Sequence, residues 1–382
     1  MNITVVCDVL GQENNGTTIA AMNLIRSLRR KGHTVRVVCP DEQRRGQEGF
    51  FIVPTFNFGP LNGYVQKNGV SLAKPTEKIV KEAILPADAV HIMTPFFLGC
   101  AAARIAHALK KPISAGFHCQ AENFTNHIFL MNSGRANRKT YEFFYRHLYR
   151  YCDAIHYPTQ FICDTFEAVV GPTPHYIISN GVGARFVPKK VQKPMIFADK
   201  FVILFTGRYS KEKSHPILIQ GVAASKYKKD IQLIFAGAGP QKAHLEALAE
   251  KAGINMPVFQ FFDREALVDV INYADLYVHP AEIEIEAISC LEAISCGKVP
   301  LISNSERSAT RYFALDENNL FTCNDSADLA KKIDWWIEHE DERVRCAAAY
   351  RDYAKRFSFE SCMDKMEQML YEITQKQKDD LL

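Results

Sequence analysis

The 382-residue sequence lacks most of the signatures that assign a chain quickly. No apolar run reaches the roughly 18 residues that a membrane-crossing helix needs. The start, MNITVVCDVLGQENNG, has no basic segment and meets Asp8 at once, so it reads as a first strand and not a signal peptide. CxxC pairs are missing. The eleven cysteines are scattered singly from Cys7 to Cys362. That odd count suits reduced thiols in a cytoplasm better than a disulfide framework. Cys290 and Cys296 flank a helical segment and read as small buried hydrophobes rather than metal ligands. HExxH and clustered His/Cys sets are absent, as are the G-x-S-x-G elbow and the GxxxxGK[ST] phosphate loop. No DxD triplet occurs, so a carboxylate-bound divalent metal is not expected. G-x-G-x-x-G followed by an acidic residue is missing too, which argues against a nicotinamide-dependent dehydrogenase. Basic residues form no long continuous stripe and no recognition motif, so nucleic acid is a poor partner.

What is present is ordinary for a globular chain: 47% hydrophobic and 23% charged residues. The length exceeds one usual hydrophobic core, so two domains are expected. Charge is uneven. Residues 1 to 192 carry 22 Lys+Arg against 13 Asp+Glu, a balance of +9, and residues 193 to 382 carry 24 against 30, or −6. A basic half joined to an acidic half can orient a protein on an anionic surface, or reflect attraction between the halves.

Hydrophobic patterning predicts an α/β chain. ITVVCDVL, NNGTT, the helical spacing of IAAMNLIRSLRRKG and HTVRVVCP make a strand, loop, helix and strand unit. Further strands are predicted at 88–93, 112–118, 153–157 and 175–178, and helices at 97–110 and 136–151. Residues 45–74 read as a long loop or irregular strands. After a linker near 184–200, FVILFTG, IQLIFAGAG, LYVHP and VPLIS alternate with helices and predict a second parallel sheet. The expected architecture is α/β, two doubly wound Rossmann-like domains facing across a cleft. Residues 1–190 are expected as the first domain and residues 191–360 as the second. Residues 361–382 are expected as a helix packing back on the first domain.

Five stretches at strand ends carry the chemistry. HPAEIEIEAISCLEAISCG holds Glu282, Glu284, Glu286 and Glu292. Glu284, Ala287, Ile288, Leu291 and Glu292 fit one helical face. A helix running through both Glu284 and Glu292 would set them about 12 Å apart along its axis. A helix starting near Glu286 would leave Glu284 in the loop. Either way the two carboxylates can accept hydrogen bonds from hydroxyls at the two ends of a long polar ligand; the alternative is a solvated, charged helix start. TGRYSKEKS offers Gly207, Arg208 and Lys213, a planar fork and a point charge suited to a diphosphate, or else a basic surface turn. GAGP places Gly237 and Gly239 in a tight turn where backbone can approach a ligand. NNGTT puts Gly16 and Thr17 at a helix start that can take an anion. His118, in GFHCQAEN, can donate to or accept from a substrate hydroxyl, or be structural.

GRYSKEKS, GAGP and the E-x7-E pair, in that order, resemble the retaining glycosyltransferases of family 4, of the two-Rossmann-domain type (GT-B). VHPAEIEIEAISCLEA and GFHCQAEN are similar to bacterial members acting on diacylglycerol or related lipids. The resemblance implies that Arg208 and Lys213 hold the donor diphosphate and Glu284 lies near the transferred sugar. It also implies that Glu292 binds the ribose, that His118 lies near sugar and acceptor, and that the Gly16 loop closes over the diphosphate. Family members commonly have Gly-Phe-Gly after the first glutamate, where this chain has Ile285, Glu286 and Ala287. The usual two glycines of the N-terminal loop are reduced to Asn15-Gly16. The implied activity is metal-independent transfer of a hexose with retention, from UDP-glucose or UDP-galactose, to a lipid acceptor such as diacylglycerol. No cofactor is implied beyond the donor. The implied place is the cytoplasm, peripheral on the anionic inner face of the plasma membrane. A soluble sugar, polyol or cell-wall precursor is the rival acceptor, and a non-catalytic nucleotide-sugar binding protein is the rival class. RANRKTYEFFYRHLYRY (135–151) has Tyr141, Phe144, Tyr145 and Leu148 on one face and Arg138, Glu142, Arg146 and Arg150 on another. It is either an interfacial helix on anionic lipid or a core helix with a wet side. FFIVPTFNFG (50–59) is either an acceptor groove or ordinary core.

Overall fold

The computed structural model describes residues 1–10, 16–57, 59, 72–126 and 130–379. They form two compact units, Met1–Asn180 with Cys362–Leu382, and Gly181–Ser361. Residues 184–200, the expected linker, lie in the second unit, and Phe186 belongs to its core.

The strands of the first unit are β1 (Asn2–Val6), β2 (Thr34–Cys39), β3 (Phe50–Ile52), β4 (Ala89–Ile92), β5 (Ile113–Gly116), β6 (Ala154–Tyr157) and β7 (His175–Ile177). They pair in parallel in the order β3-β2-β1-β4-β5-β6-β7. Helices α1 (Gly16–Arg30), α2 (Glu77–Ile84), α3 (Phe97–Ala108), α4 (Ala121–Asn126), α5 (Gly134–His147) and α6 (Gln160–Val170) connect them. A parallel sheet covered on both faces needs apolar runs, and β4 is buried at every position although it carries His91.

The sheet order reverses between β1 and β4, and there Asp8 is buried at the start of α3. It accepts from the Leu98 and Gly99 amides at 2.8 and 2.9 Å and from Thr94 Oγ1 at 3.2 Å. Burial nevertheless pushes its carboxyl up to about 7. A Cβ on Gly99 would meet Thr94 O at 2.1 Å, so only glycine lets the helix start this close to Asp8.

The 135–151 segment resolves as a core helix. Ser133 caps α5 by accepting from the Ala136 amide, and Tyr141, Phe144 and Leu148 are buried. Its aromatic face is therefore not free for lipid. Phe143 stands exposed, as do Phe97, Phe124 and Leu130 of the same unit. Within 50–59, Phe50–Ile52 is a strand and Phe56 packs on Phe97 at 4.9 Å. Residues 58 and 60–71 lie outside the described residues.

The second unit contains β8 (Phe201–Thr206), β9 (Ile231–Ala236), β10 (Val258–Gln260), β11 (Leu276–His279), β12 (Pro300–Ser303) and β13 (Leu320–Phe321). The order is β10-β9-β8-β11-β12-β13, again parallel throughout. Its helices are α7 (His215–Ala224), α8 (Lys242–Ala252), α9 (Arg264–Tyr273), α10 (Ile288–Ser295), α11 (Ser326–Glu338) and α12 (Glu340–Ala354). Local chemistry sets the ends: Asp263 caps α9 through the Glu265 and Ala266 amides, and Gly253 ends α8 in the left-handed region. The direction of winding changes between β8 and β11. Loops diverge at such a switch point and leave room for a ligand at the strand ends. The last helix, α13 (Phe359–Asp379), belongs to the first unit. There Lys31 pairs with Asp364 and Glu367, and His33 Nε2 lies 2.6 Å from Glu367.

Candidate functional site

At the β8/β11 switch point the loops after the two strands meet. Lys213 closes the loop after β8, just before Ser214 takes a left-handed turn into α7. Glu284 lies in the loop after β11, pinned by a parallel bridge to Ser308 and by Ala309 N–H donating to its carbonyl at 2.8 Å. Lys213 Nζ is hydrogen-bonded to Glu284 Oε1 as an ion pair. His279 Nε2 lies 3.1 Å from the same oxygen. Behind it, Tyr277 OH lies 3.2 Å from His279 Nδ1, 3.1 Å from Thr206 Oγ1 and 3.5 Å from Ser289 Oγ. Burial would raise the Glu284 carboxyl, but the Lys213 charge and the His279 hydrogen bond outweigh it and hold it at about 2. Glu284 is thus an anion at any working pH.

The four carboxylates of the acidic stretch have four different settings. Glu282 is held by Arg307, and its N–H donates to Glu212 O at 2.9 Å, so it ties two loops together. Glu284 is the buried anion just described. Glu286 is only 3% exposed and is not a solvated surface charge. Glu292 is buried in α10 with Arg264 Nη1 3.3 Å from its Oε1. Burial pushes Glu292 up to about 7, against the opposing charges of Arg264 and Arg185. The helix does not run through both glutamates of the E-x7-E pair. Ala287 takes φ +60° and α10 begins at Ile288, which leaves Glu284 in the loop. No side chain caps α10, so the first-turn amides at Ile288 and Ser289 face the loop end of the strand.

Gly207, Gly237 and Gly239 are explained by packing between turns. A Cβ on Gly237 would meet Gly207 O at 2.0 Å, and one on Gly239 would meet Tyr209 N and O at 2.6 Å. Tyr209 N–H donates to Ala238 O at 3.0 Å. The GAGP turn thus presses on the loop that carries Arg208. Arg208 itself is half-buried and already engaged. Gly237→Ala should therefore displace the Arg208 loop. The expected outcome is a lower Tm in a thermal melt and weaker nucleotide-sugar binding by calorimetry.

The residues expected in the first unit form a separate group. Gly16 opens α1 with open space around its Cα, and Thr17 is half-buried. Asn14 and Asn15 lie outside the described residues. His118 follows β5, and Gly116 is required beside it, since a Cβ there would meet His118 Nε2 at 2.4 Å. The His118 ring lies 5.6 Å from that of His156, and His91 lies 6.4 Å from His156. Burial, reinforced by His156 and His91, lowers His118 well below the usual imidazole range, which keeps the ring neutral. These rings line a small cavity with Ala20, Met363 and Met366.

Cys163, Glu167 and His175 place three ligand-type atoms within 4.8 Å of one another. Glu167 Oε1 already accepts from Thr173 N at 2.9 Å and Thr173 Oγ1 at 2.7 Å and lies 2.9 Å from His175 Nδ1. That set closes the α6–β7 connection by hydrogen bonds.

Sequence reading missed His279, Tyr277 and Arg264. The usable signal for His279 was its place as the last residue of an apolar strand at the switch point, directly before Pro280.

Residues 186–353 match the family Glycosyl transferases group 1, and residues 14–185 match Glycosyltransferase Family 4. The chain is 24% identical over 368 residues to a GDP-mannose-dependent alpha-mannosyltransferase of Corynebacterium glutamicum, covering 92% of this chain and 84% of that protein. It is 22% identical over 339 residues to the alpha-monoglucosyldiacylglycerol synthase of Acholeplasma laidlawii, covering 84% of each. Among solved structures, Anabaena Alr3699/HepE with UDP and glucose matches 97% of this chain and 100% of that one, at TM-score 0.76 and 16% identity. The catalytic domain of cholesterol-alpha-glucosyltransferase from Helicobacter pylori is 47% identical, covering 41% of this chain and 99% of that one, at TM-score 0.40. No helix among the described residues is long and apolar enough to cross a membrane.

Proposed function

Because the chain belongs to the family 4, group 1 glycosyltransferases and has their two-Rossmann-domain (GT-B) fold, we propose that it moves a hexose from a nucleotide sugar to a lipid hydroxyl with retention. The observation that carries this reading is the Lys213–Glu284–His279 constellation at the β8/β11 switch point.

The barrier is cleavage of the bond between sugar C1 and a phosphate oxygen. Positive charge grows at C1 and negative charge on the departing diphosphate. Arg208 and Lys213 stabilise the second charge, and the uncapped start of α10 adds backbone N–H groups aimed at an anion. The side-chain cations do the work that a divalent metal does in other transferases, so the reading includes no metal. Glu284 remains ionised and lies near C1, where it stabilises positive charge. Its Oε1 is engaged by both Lys213 and His279, which suits that role better than covalent attack. Retention then needs same-face attack, with the departing phosphate taking the acceptor proton. Glu292 accepts from the ribose hydroxyls, Arg264 keeping it oriented. His118, neutral, and the Gly16–Thr17 helix start are assigned to the acceptor and diphosphate.

A UDP-linked glucose or galactose remains the donor reading, while the mannosyltransferase relatives make GDP-mannose its rival. The lipid acceptor is supported by the basic first half, the exposed Phe97, Phe124, Leu130 and Phe143, and the diacylglycerol enzyme among the relatives. Membrane attachment in this reading is peripheral. The test is mass-spectrometric product detection with UDP-glucose, UDP-galactose and GDP-mannose in EDTA. Acceptors are diacylglycerol or cholesterol in anionic micelles, and a panel of soluble sugars. A hexosyl lipid is expected. Product on soluble sugars alone removes the lipid acceptor, and activity only with added divalent metal removes the metal-free mechanism.

A further inference from the structure

His279 is fully buried at the end of β11, and its two ring nitrogens face different kinds of group. Nε2 is 3.1 Å from the ionised Glu284 carboxylate, so it carries a proton and donates it there. In the neutral ring Nδ1 is then an acceptor, taking the hydroxyl proton of Tyr277 at 3.2 Å. The Tyr277 oxygen has two other neighbours, Thr206 Oγ1 at 3.1 Å and Ser289 Oγ at 3.5 Å. Its proton can turn to either, which frees a lone pair for Nδ1–H. The pocket can therefore hold imidazole or imidazolium with no buried donor left unsatisfied, a condition few buried histidines meet.

The balance between the two forms is set by the groups that face the ring. Burial works against the cation, Glu284 favours it and Lys213 opposes it, and the net effect keeps His279 below its ordinary range. His215, on α7, also faces this group of charges. Burial, with Lys213 adding to it, lowers His215 to about 3, so it contributes no charge. Tyr277 is kept protonated by burial. Burial thus does most to keep His279 neutral, and the Lys213 charge adds to it.

A nucleotide sugar alters that arrangement. Its diphosphate brings negative charge to the loop that carries Lys213, and the ammonium then divides its three N–H donors and its charge between Glu284 and phosphate oxygens. A buried carboxylate that loses its partner is costly. We propose that donor binding draws Lys213 from Glu284 to the diphosphate and that His279 takes up a proton from solvent in its place. Glu284 then stays paired, fixed and ionised while the donor enters. His279 is a positioning residue in this scheme: it touches neither sugar nor phosphate. The scheme rests on the diphosphate reading of Lys213.

Calorimetric titration of the full chain with UDP-glucose and with GDP-mannose tests it, without acceptor, at pH 7 in PIPES, HEPES and Tris. The diphosphate diester of a nucleotide sugar has no group titrating near pH 7, so protons counted from the buffer dependence of the heat belong to the protein. Uptake of about 0.3 to 1 proton per donor bound is expected, with affinity rising as pH falls from 8 to 6. In His279→Gln the donor still binds but the uptake disappears. Tyr277→Phe, which removes the acceptor for Nδ1–H, should cut the uptake while keeping the imidazole. Binding with no buffer dependence in the native protein overturns the proposal, and so does unchanged uptake in His279→Gln. Lys213→Met separates the two readings. Weaker donor binding there, together with zero uptake in the native protein, keeps the diphosphate role and rejects the proton. Undiminished binding in Lys213→Met rejects the diphosphate role, and the proton exchange with it.

Discussion

Lys213→Met will lower kcat by about two to three orders of magnitude, the usual cost of deleting one preorganised group that stabilises a leaving charge. Met keeps the length and apolar stem of the side chain and removes only the ammonium. The ion pair with Glu284 makes this variant more complicated than a surface charge deletion. The Lys213 charge is the largest single attraction that holds Glu284 at about 2. Without it a buried carboxylate keeps only His279, and breaking one side of a buried pair costs about 3 to 5 kcal/mol. Loss of stability and loss of turnover are therefore both expected, and a melt alone says nothing about catalysis. Two further variants separate them. Lys213→Met with Glu284→Gln removes both charges, so the Tm should recover while turnover does not. Arg208→Ala should lower turnover with a much smaller change in Tm, because Arg208 is only half-buried. Native turnover in both Arg208→Ala and Lys213→Met, measured with whichever donor is active, would sink the diphosphate assignment.

Acidification should unfold the first unit well before the second. Burial lowers His91 to about 3 and His156 to about 4, and pushes His118 in the same direction. Each of these rings is neutral in the folded chain and takes a proton near pH 6.5 when unfolded. Below that pH the unfolded state binds more protons, so stability falls as pH falls, until the folded values are reached. Asp8 works the other way. Its folded carboxyl titrates at about 7, so below that pH the folded state gains a proton that the unfolded chain still lacks. Three histidines against one aspartate leave a net difference of two protons. That is a slope of about 3 kcal/mol per pH unit, or roughly 5 kcal/mol between pH 6.5 and pH 4.5. A loss of that size is comparable with the whole stability of many domains. In the second unit His215, lowered to about 3, and His279, also lowered by burial, are the corresponding groups, and Glu292 offsets one of the two by titrating at about 7. Urea melts at pH 7 and pH 4.5 should therefore show a first transition that moves further than the second. His156→Leu should flatten the slope of the first by about 1.4 kcal/mol per pH unit. An unchanged slope in that variant would remove the histidine cluster as the cause.

The readable part of the fold was the part written in apolar runs. FVILFT, IQLIFA and LYVH are buried at nearly every position, so composition alone marks them as central parallel strands. The edge strands β10 and β13 have three and two residues and half-exposed positions, so no periodicity announces them. Arg208, Lys213 and Glu284 stood out because polar residues in the loop after a buried strand are conspicuous, and Glu292 because it is a carboxylate among the apolar residues of a helix. The start of α10 was not decidable from spacing, since Glu284 and Glu292 fit a helical face equally well whether or not the helix includes both. What decides it is Ala287 at φ +60°, a conformation no propensity assigns to alanine. The glycines of GAGP were noticed as a turn open to a ligand; the contacts that also require them, Gly207 O for Gly237 and Tyr209 N and O for Gly239, come from across a different strand end. His279 and Tyr277 were hidden because both read as strand residues.

The path of the chain also has a consequence for its synthesis. The second unit is one continuous stretch, Gly181–Ser361, and its two ends lie side by side: Val182 N–H donates to Phe357 O at 2.8 Å and Phe359 N–H to Val182 O at 3.1 Å. The first unit is not continuous. Met363, Met366, Met369 and Leu370 of α13 are buried in it, although they are translated about 200 residues after β6 and β7. At a translation rate of about 5 to 20 residues per second, the first sheet must wait on the order of 10 to 40 s for its last covering helix. Meanwhile the second unit can complete itself. The half made first on the ribosome is thus the half finished last, and until then its exposed apolar strip is a natural client for a chaperone.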